Sequence, residues 1–222
     1  MAAESGVRLD KADIDLTDGV SVQRGARTFV NYCLGCHQAS YMRFNRLQDI
    51  GLTNDQIERN LIFGNQKVGD TMQNPMRHED AENWFGVAPP DLSVIARSRG
   101  ADWLYTFLRA FYQDLEKPTG WNNLLFPNVG MPHVLWELQG VRNFESNPDS
   151  ADTETLVLKT KGRLSQGEYD MLIRDLVNYL VFMGEPVRTL RVRLGIFILF
   201  GLSIFLILAW GLKKEYWKDV HN

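Results

Sequence analysis

Both cysteines of the 222-residue chain fall within one pentapeptide, Cys33-Leu34-Gly35-Cys36-His37. This is the C-x-x-C-H pattern by which c-type haem is attached, and it restricts the chain more than any other feature. On a helix, thiols three residues apart share a face and can reach the two vinyl groups of one porphyrin. The imidazole of the next residue then meets the iron from the same side. A thioredoxin-type redox pair would need a βαβ context, for which the chain has no pattern. A structural zinc site would need a second pair of ligands, and there is no further cysteine. Two cysteines are also too few for a disulfide scaffold.

A second feature divides the chain. Leu194 to Leu212, LGIFILFGLSIFLILAWGL, is 19 residues without an ionisable group. As a helix it would span about 28 Å, close to the hydrocarbon thickness of a bilayer. Arg188, Arg191 and Arg193 flank one end and Lys213, Lys214 and Lys218 the other, with Trp210, Tyr216 and Trp217 placed for an interfacial aromatic belt. A buried core helix rarely runs apolar on every face for this length. Residues 1–187 hold 18 Lys/Arg against 25 Asp/Glu, whereas residues 188–222 hold 6 against 2. The chain therefore reads as an acidic head, residues 1–187, on a single C-terminal anchor, residues 188–222. A formal net charge of −3 gives no basic footprint for nucleic acid. Three basic residues at each end of the span leave its orientation undecided by charge. MAAESGVRLD has no apolar signal-peptide core, so an exported head requires a cleaved leader that this sequence lacks.

Within the head, hydrophobic periodicity predicts helices joined by long connections. Ser21 can cap a helix with Val22, Ala26, Phe29, Val30 and Cys33 at helical spacing. Thr53 to Gln56 forms a capping box ahead of Ile57, Leu61 and Ile62. Asp102 to Tyr112 reads as a helix with Leu104, Phe107, Leu108 and Phe111 on one side. Between Lys117 and His133, three prolines and two glycines predict a long ordered loop. Thr155 to Thr160 predicts a short strand. A second capping box, Ser165 to Glu168, opens a helix that stops near Gly184 and Pro186. The fold class is mainly α: a cytochrome c-like haem domain with long loop insertions, plus one C-terminal transmembrane helix.

A haem needs a sixth ligand decided. Candidates are His78 and His133, with Met42, Met72, Met76, Met131, Met171 and Met183. Met171 and Met183 lie on the last head helix and read as packing residues, while Met72 and Met76 fall in a polar stretch, TMQNPMRHED, that reads as surface loop. Met131 lies in FPNVGMP, where Pro127 and Pro132 stiffen the chain and Gly130 permits close backbone approach to a flat ligand. A weak thioether ligand needs such a rigid loop. Met131 is therefore the first candidate and His133 the second. Methionine opposite histidine raises the reduction potential and favours electron transfer over oxygen chemistry.

Three blocks in order, YCLGCH, VAPPDLSVIARSRG (Val87 to Gly100) and PTGWNNLLFPNVGMP (Pro118 to Pro132), resemble the cytochrome c1 family, as does a helix ending in Gly184-Glu185-Pro186 followed by arginines and one span. The resemblance runs from about Ala12 to Trp217. It implies a haem c subunit of the cytochrome bc1 complex, ubiquinol:cytochrome c oxidoreductase, with one covalently bound haem c. Carried over by position, Cys33 and Cys36 match the thioether cysteines, His37 the proximal ligand and Met131 the distal ligand. Arg99, with Arg97 as the alternative, matches an arginine that contacts a haem propionate. Pro89 and Pro90 match prolines lining the haem pocket.

The same resemblance implies the partners and the topology. The chain would sit beside cytochrome b and the Rieske iron–sulfur protein in a dimeric membrane complex, take electrons from the Rieske protein and pass them to a cytochrome c. It would carry electrons and not act as an enzyme on its own. Haem is attached to C-x-x-C-H proteins outside the cytoplasm, so the single-pass chain would lie in a bacterial inner membrane with its head in the periplasm. A free-standing membrane-anchored cytochrome c predicts a smaller head, and a gas sensor predicts no thioether ligand. Acidic clusters at Glu79, Asp80 and Glu82, and at Asp149, Asp152 and Glu154, fall in stretches that read as loops. They could steer a basic electron acceptor.

Overall fold

A computed structural model of the chain describes residues 7–146 and 154–218, with side chains at 7–145 and 156–218. Two compact units follow one another, the first ending at Gly184 and the second beginning at Glu185. The first is mainly helical, with three separate two-stranded antiparallel sheets among its described residues.

The head is organised by two helices, α1 (Gly19–Thr28) and α7 (Gln166–Gly184), which pack on each other. Val22, Ala26 and Phe29 of the first segment are fully buried, as are Ile173, Val177 and Tyr179 of the second, and the Phe29 and Tyr179 rings lie 5.3 Å apart. The cap of α1 is Asp18, not Ser21: Asp18 Oδ1 accepts from the Ser21 backbone N–H at 2.9 Å, so the helix starts at Gly19. Ser21 is left for a buried role. Its hydroxyl donates to Asp175 Oδ1 at 2.6 Å and accepts from Asn178 Nδ2 at 2.6 Å, while Arg24 Nε donates to Asp175 Oδ2 at 2.5 Å. Asp175 is only 4% exposed. The half-exposed Arg24 and the Ser21 hydroxyl, itself held by Asn178, satisfy a charge that burial would otherwise penalise by several kcal/mol.

Both capping boxes are formed. Gln56 N donates to Thr53 Oγ1 at 3.2 Å and Thr53 N donates to Gln56 Oε1 at 2.9 Å at the start of α2 (Asn54–Leu61). The equivalent pair, Ser165 N to Glu168 Oε2 at 2.8 Å, opens α7. Replacing Thr53 with alanine removes the exposed box and should cost about 1 kcal/mol. A lowered urea midpoint with unchanged slope would register it; an unmoved midpoint would mean that tertiary packing alone sets this helix start.

Several connections differ from the sequence pattern for identifiable reasons. α3 (His78–Phe85) occupies a stretch expected to be loop, with Glu79 and Asp80 in its first turn, where carboxylates suit the helix dipole, and both paired to Arg77. Asp149, Asp152 and the side chain of Glu154 lie outside the described residues. Met72 is fully buried, because β2 (Thr71–Met72) pairs with β1 (Ala39–Arg43) and brings Met72 opposite Ala39. Met171, in contrast, is 52% exposed and not a packing residue.

Short helix α4 (Ile95–Arg99) leads into α5 (Ala101–Arg109), which ends before the Tyr112 expected from periodicity. The buried Asn123 explains the early stop: its Nδ2 donates to the Phe107 carbonyl at 2.8 Å, the acceptor that a continued helix would offer to residue 111. Phe111 instead opens β3 (Phe111–Gln113), paired with β4 (Trp121–Asn123) inside the long loop. Beyond that loop, α6 (Trp136–Gln139) runs into β5 (Gly140–Ser146), which pairs antiparallel with β6 (Glu154–Lys161), the strand expected at 155–160.

The second unit is one long helix, α8 (Arg188–Tyr216), of 29 residues. It is long and apolar enough to cross a membrane, and its apolar window is entirely exposed within the chain. Lys214 lies over the Trp210 ring at 5.7 Å, a pairing suited to the headgroup boundary.

Candidate haem-binding site

The C-x-x-C-H motif lies at the end of α1, where the helix changes its winding. Residues 29–33 form a π-type turn, with Leu34 N–H bonded to the Phe29 carbonyl at 3.0 Å. Such turns are rare and concentrate at functional sites. The Cys33 carbonyl then accepts from both Cys36 N (3.1 Å) and His37 N (2.8 Å), which closes the pentapeptide into a single turn. Cys33 is buried and Cys36 half-buried, and the two form no disulfide with each other. Burial pushes the Cys33 thiol up to about 12 and raises Cys36 as well. That is opposite to the lowered pKa of a redox-active C-x-x-C nucleophile.

His37 is buried, and its Nδ1 lies 2.8 Å from the Pro90 carbonyl oxygen. Nδ1 therefore carries the proton and donates it, which leaves Nε2 as the lone-pair nitrogen. Burial holds the imidazole below its ordinary pKa against the opposing pull of the Pro90 carbonyl and the Asp91 charge. A neutral ring with its tautomer fixed by a backbone carbonyl is the form in which histidine ligates a metal.

The APPDLS block is what fixes Pro90. Asp91 Oδ2 accepts from Ser40 N at 2.8 Å and its Oδ1 accepts from Ser93 N at 2.8 Å, while the buried Ser93 hydroxyl accepts from Tyr41 N at 3.0 Å. Burial raises the Asp91 carboxyl, but these donors outweigh it and hold the group below the usual carboxylate range. Neither Asp91 nor Ser93 carries a sequence signal of its own. Their only signal was membership of the block.

The same segment reaches the Met131 loop. A Cβ at Gly130 would sit 2.9 Å from Val87 Cγ1 and 3.0 Å from the Phe85 carbonyl oxygen. The close approach that Gly130 permits is therefore to residues 85–87 of this chain and not, as its sequence context suggests, to a flat ligand. Met131 itself is half-buried and packs against the core. Two buried amides shape the chain leading to it: Asn122 Oδ1 accepts from Asn128 N at 2.8 Å, and Asn123 Oδ1 accepts from Leu125 N at 2.9 Å. Residues 85–90 thus run from the Met131 loop, met at Phe85 and Val87, to His37, met at the Pro90 carbonyl. His133 is 2% exposed, stacked on Phe111 with centroids 4.8 Å apart at 4° and edge-on to Trp121 at 5.2 Å. Burial pushes its imidazole down to about 4 against the pull of the neighbouring Gln139 amide.

The remaining candidates are less enclosed. Pro89 is half-buried and Pro90 exposed. Arg99 is exposed at the end of α4, with its guanidinium 5.1 Å from the Trp103 ring centroid. Arg97 lays its Cγ against Gly184. Among the described residues no group of three or more His, Cys, Asp or Glu side chains could form a metal cage. Two thiols on one turn, one imidazole Nε2 and one thioether suit a covalently attached haem and do not suit zinc.

Comparison with known proteins gives the family. Residues 12–154 match the family model described as the cytochrome C1 family. The cytochrome c1 of Allochromatium vinosum is 47% identical over 227 residues, which cover 100% of this chain and 93% of that protein. A Nitrosomonas europaea protein named ammonia monooxygenase gamma subunit is 54% identical over 215 residues, covering 97% of this chain and 90% of its own. A chain of a hyperthermophilic respiratory Complex III aligns with a TM-score of 0.47 at 16% identity, over 96% of this chain and 87% of that one. With the C-x-x-C-H turn, the APPDLS segment and the FPNVGMP loop all inside a likeness to the Allochromatium protein that covers the whole chain, the chain belongs to the cytochrome c1 family of haem-bearing electron-transfer subunits.

Proposed function

We propose that this chain is the electron-carrying subunit of a respiratory cytochrome bc1 complex, with one haem c attached through Cys33 and Cys36 and ligated by His37 Nε2 and Met131 Sδ. The haem supplies a one-electron redox centre when bound. His37 donates Nδ1–H to Pro90, which orients the ring and raises the basicity of Nε2. Met131 offers a soft thioether on a loop held against residues 85–87. Arg99, a proposed propionate partner, presents its charge beside Trp103. In this reading the head lies in the periplasm of a bacterium and α8 crosses the inner membrane. The head takes electrons from a Rieske protein and passes them to a cytochrome c, within a dimeric complex that includes cytochrome b. The chain has no turnover of its own. The observation that carries the reading is the His37–Pro90 hydrogen bond, which ties the C-x-x-C-H turn to the segment that also holds the methionine loop.

Extraction from native membranes in mild detergent tests the assembly. Co-purification with cytochrome b and a Rieske protein is expected. The relative named ammonia monooxygenase gamma subunit favours a second reading, and recovery with subunits of such an oxygenase in place of cytochrome b would support it over the first. Attachment is tested by Cys36→Ser. The variant should retain at most one thioether link, with a red-shifted reduced α-band, or fail to load haem. An unchanged spectrum with two covalent links would end the assignment of Cys36.

A further inference from the structure

We infer that His133 is a positioning residue for Met131, acting through its stacked ring rather than as an iron ligand. The inference rests on the proposed role of Met131. Met131 lies between two fixed points of the loop. On one side Gly130 is pressed against Val87 and the Phe85 carbonyl, where a Cβ would meet atoms at 2.9 and 3.0 Å. On the other, Pro132 restricts the backbone and His133 enters an aromatic slot. Its ring is parallel to Phe111, 4.8 Å away at 4°, and lies edge-on to Trp121 at 5.2 Å and 76°.

The slot belongs to the rigid part of the head. Phe111 is fully buried, contacts the Phe107 ring at 5.1 Å and pairs through β3 with Asn123 of β4. Trp121 is the first residue of β4. Both walls of the slot thus come from one hairpin, and neither can shift without breaking its ladder. The buried Nε2 of His133 and the buried Oε1 of Gln139 both lack a partner at hydrogen-bond geometry. They are a donor and an acceptor of matching type on neighbouring side chains, so a small rotation pairs them. A histidine stacked on one ring, set edge-on to another and with a neighbour for its N–H has its position in the loop fixed. The thioether two residues away is thereby held where a weak ligand must be placed before it binds.

The test uses the full-length haem-loaded chain in detergent. Its readouts are the near-infrared methionine-to-iron charge-transfer band of the ferric protein, carbon monoxide binding to the ferrous protein, and the thermal melt. His133→Phe keeps an aromatic ring in the slot and should retain the band and exclude carbon monoxide. His133→Ala empties the slot and should lose or weaken the band and admit carbon monoxide while covalent haem remains. His133→Ala with a full band would overturn the positioning role. Loss of the band in His133→Phe to the same extent as in alanine would also overturn it, because a ring nitrogen and not the stack would then be required. Met131→Leu separates the two readings. Retention of six-coordinate iron in Met131→Leu, together with its loss in His133→Phe, would make His133 the ligand and refute the assignment of Met131 itself. If the folded His133→Ala protein melts with wild-type cooperativity but has lost the band, the effect is local to the loop, as expected.

Discussion

Replacing Gly25 with alanine should unfold the head or leave it barely stable. The added Cβ would fall 2.0 Å from the Asp175 carbonyl oxygen and 2.7 Å from both the Asp175 carbonyl carbon and Tyr179 Cβ. Two of those atoms are helix backbone and the third is anchored to it, so no side-chain rotation relieves the clash, and α1 must move away from α7. Overpacking of ordinary cores costs about 1–3 kcal/mol, and this case belongs at or beyond the upper end. Separation of the two helices would also pull Ser21 and Arg24 from the buried Asp175 carboxylate, adding the cost of an uncompensated charge. Against a typical domain stability of about 5–15 kcal/mol, the combined loss is severe. Because α1 runs directly into the Cys33 turn, haem loading should fall with stability. Circular dichroism melts and haem content of membranes check this, with Gly167→Ala as the control. Gly167 has open space around its Cβ position and lies in the first turn of α7, so alanine there should be neutral or slightly stabilising. A Gly25→Ala protein that melts like the control would mean that α1 and α7 do not cross as described.

Met131→Leu carries the second large expected effect. Leucine matches methionine closely in volume, so the fold should survive with a loss below about 1.5 kcal/mol. The thioether donor is gone, however. Axial ligands set haem potentials over a range of about 0.8 V, and methionine opposite histidine lies toward its upper part. The potential should therefore drop by on the order of 0.1 V or more. Carbon monoxide should bind the reduced protein, and the covalent haem should be retained. Redox titration and carbon monoxide difference spectra measure both. Wild-type potential with carbon monoxide still excluded would place the sixth ligand elsewhere.

Features set by residues close in sequence were legible in the chain. The two capping boxes need only positions three apart, and both formed as read. The C-x-x-C-H turn and the apolar span are likewise local patterns. What escaped depends on partners far away in sequence. Asp175 lies on the apolar face of α7, and nothing nearby indicates that Ser21, some 154 positions earlier, donates to it. Periodicity carries α5 on to Tyr112 because it cannot anticipate that the Asn123 side chain, 16 positions on, takes the Phe107 carbonyl. Met72 was read as surface from its polar neighbours, yet strand pairing with Ala39 turns it into the core. At the site, residue types pointed to His37 and Met131. The Pro90 carbonyl that fixes the His37 tautomer is a backbone group, which no residue pattern displays.

In the proposed function, Cys33 and Cys36 jointly bind a single haem. Mass spectrometry of the chain isolated from its native membrane, intact and after proteolysis, tests it most directly. The expected result is a polypeptide heavier by one haem, with that mass confined to the peptide containing Cys33, Cys36 and His37 and with neither thiol open to alkylation. A chain at its bare polypeptide mass, or one in which either cysteine alkylates freely in the native protein, would contradict it.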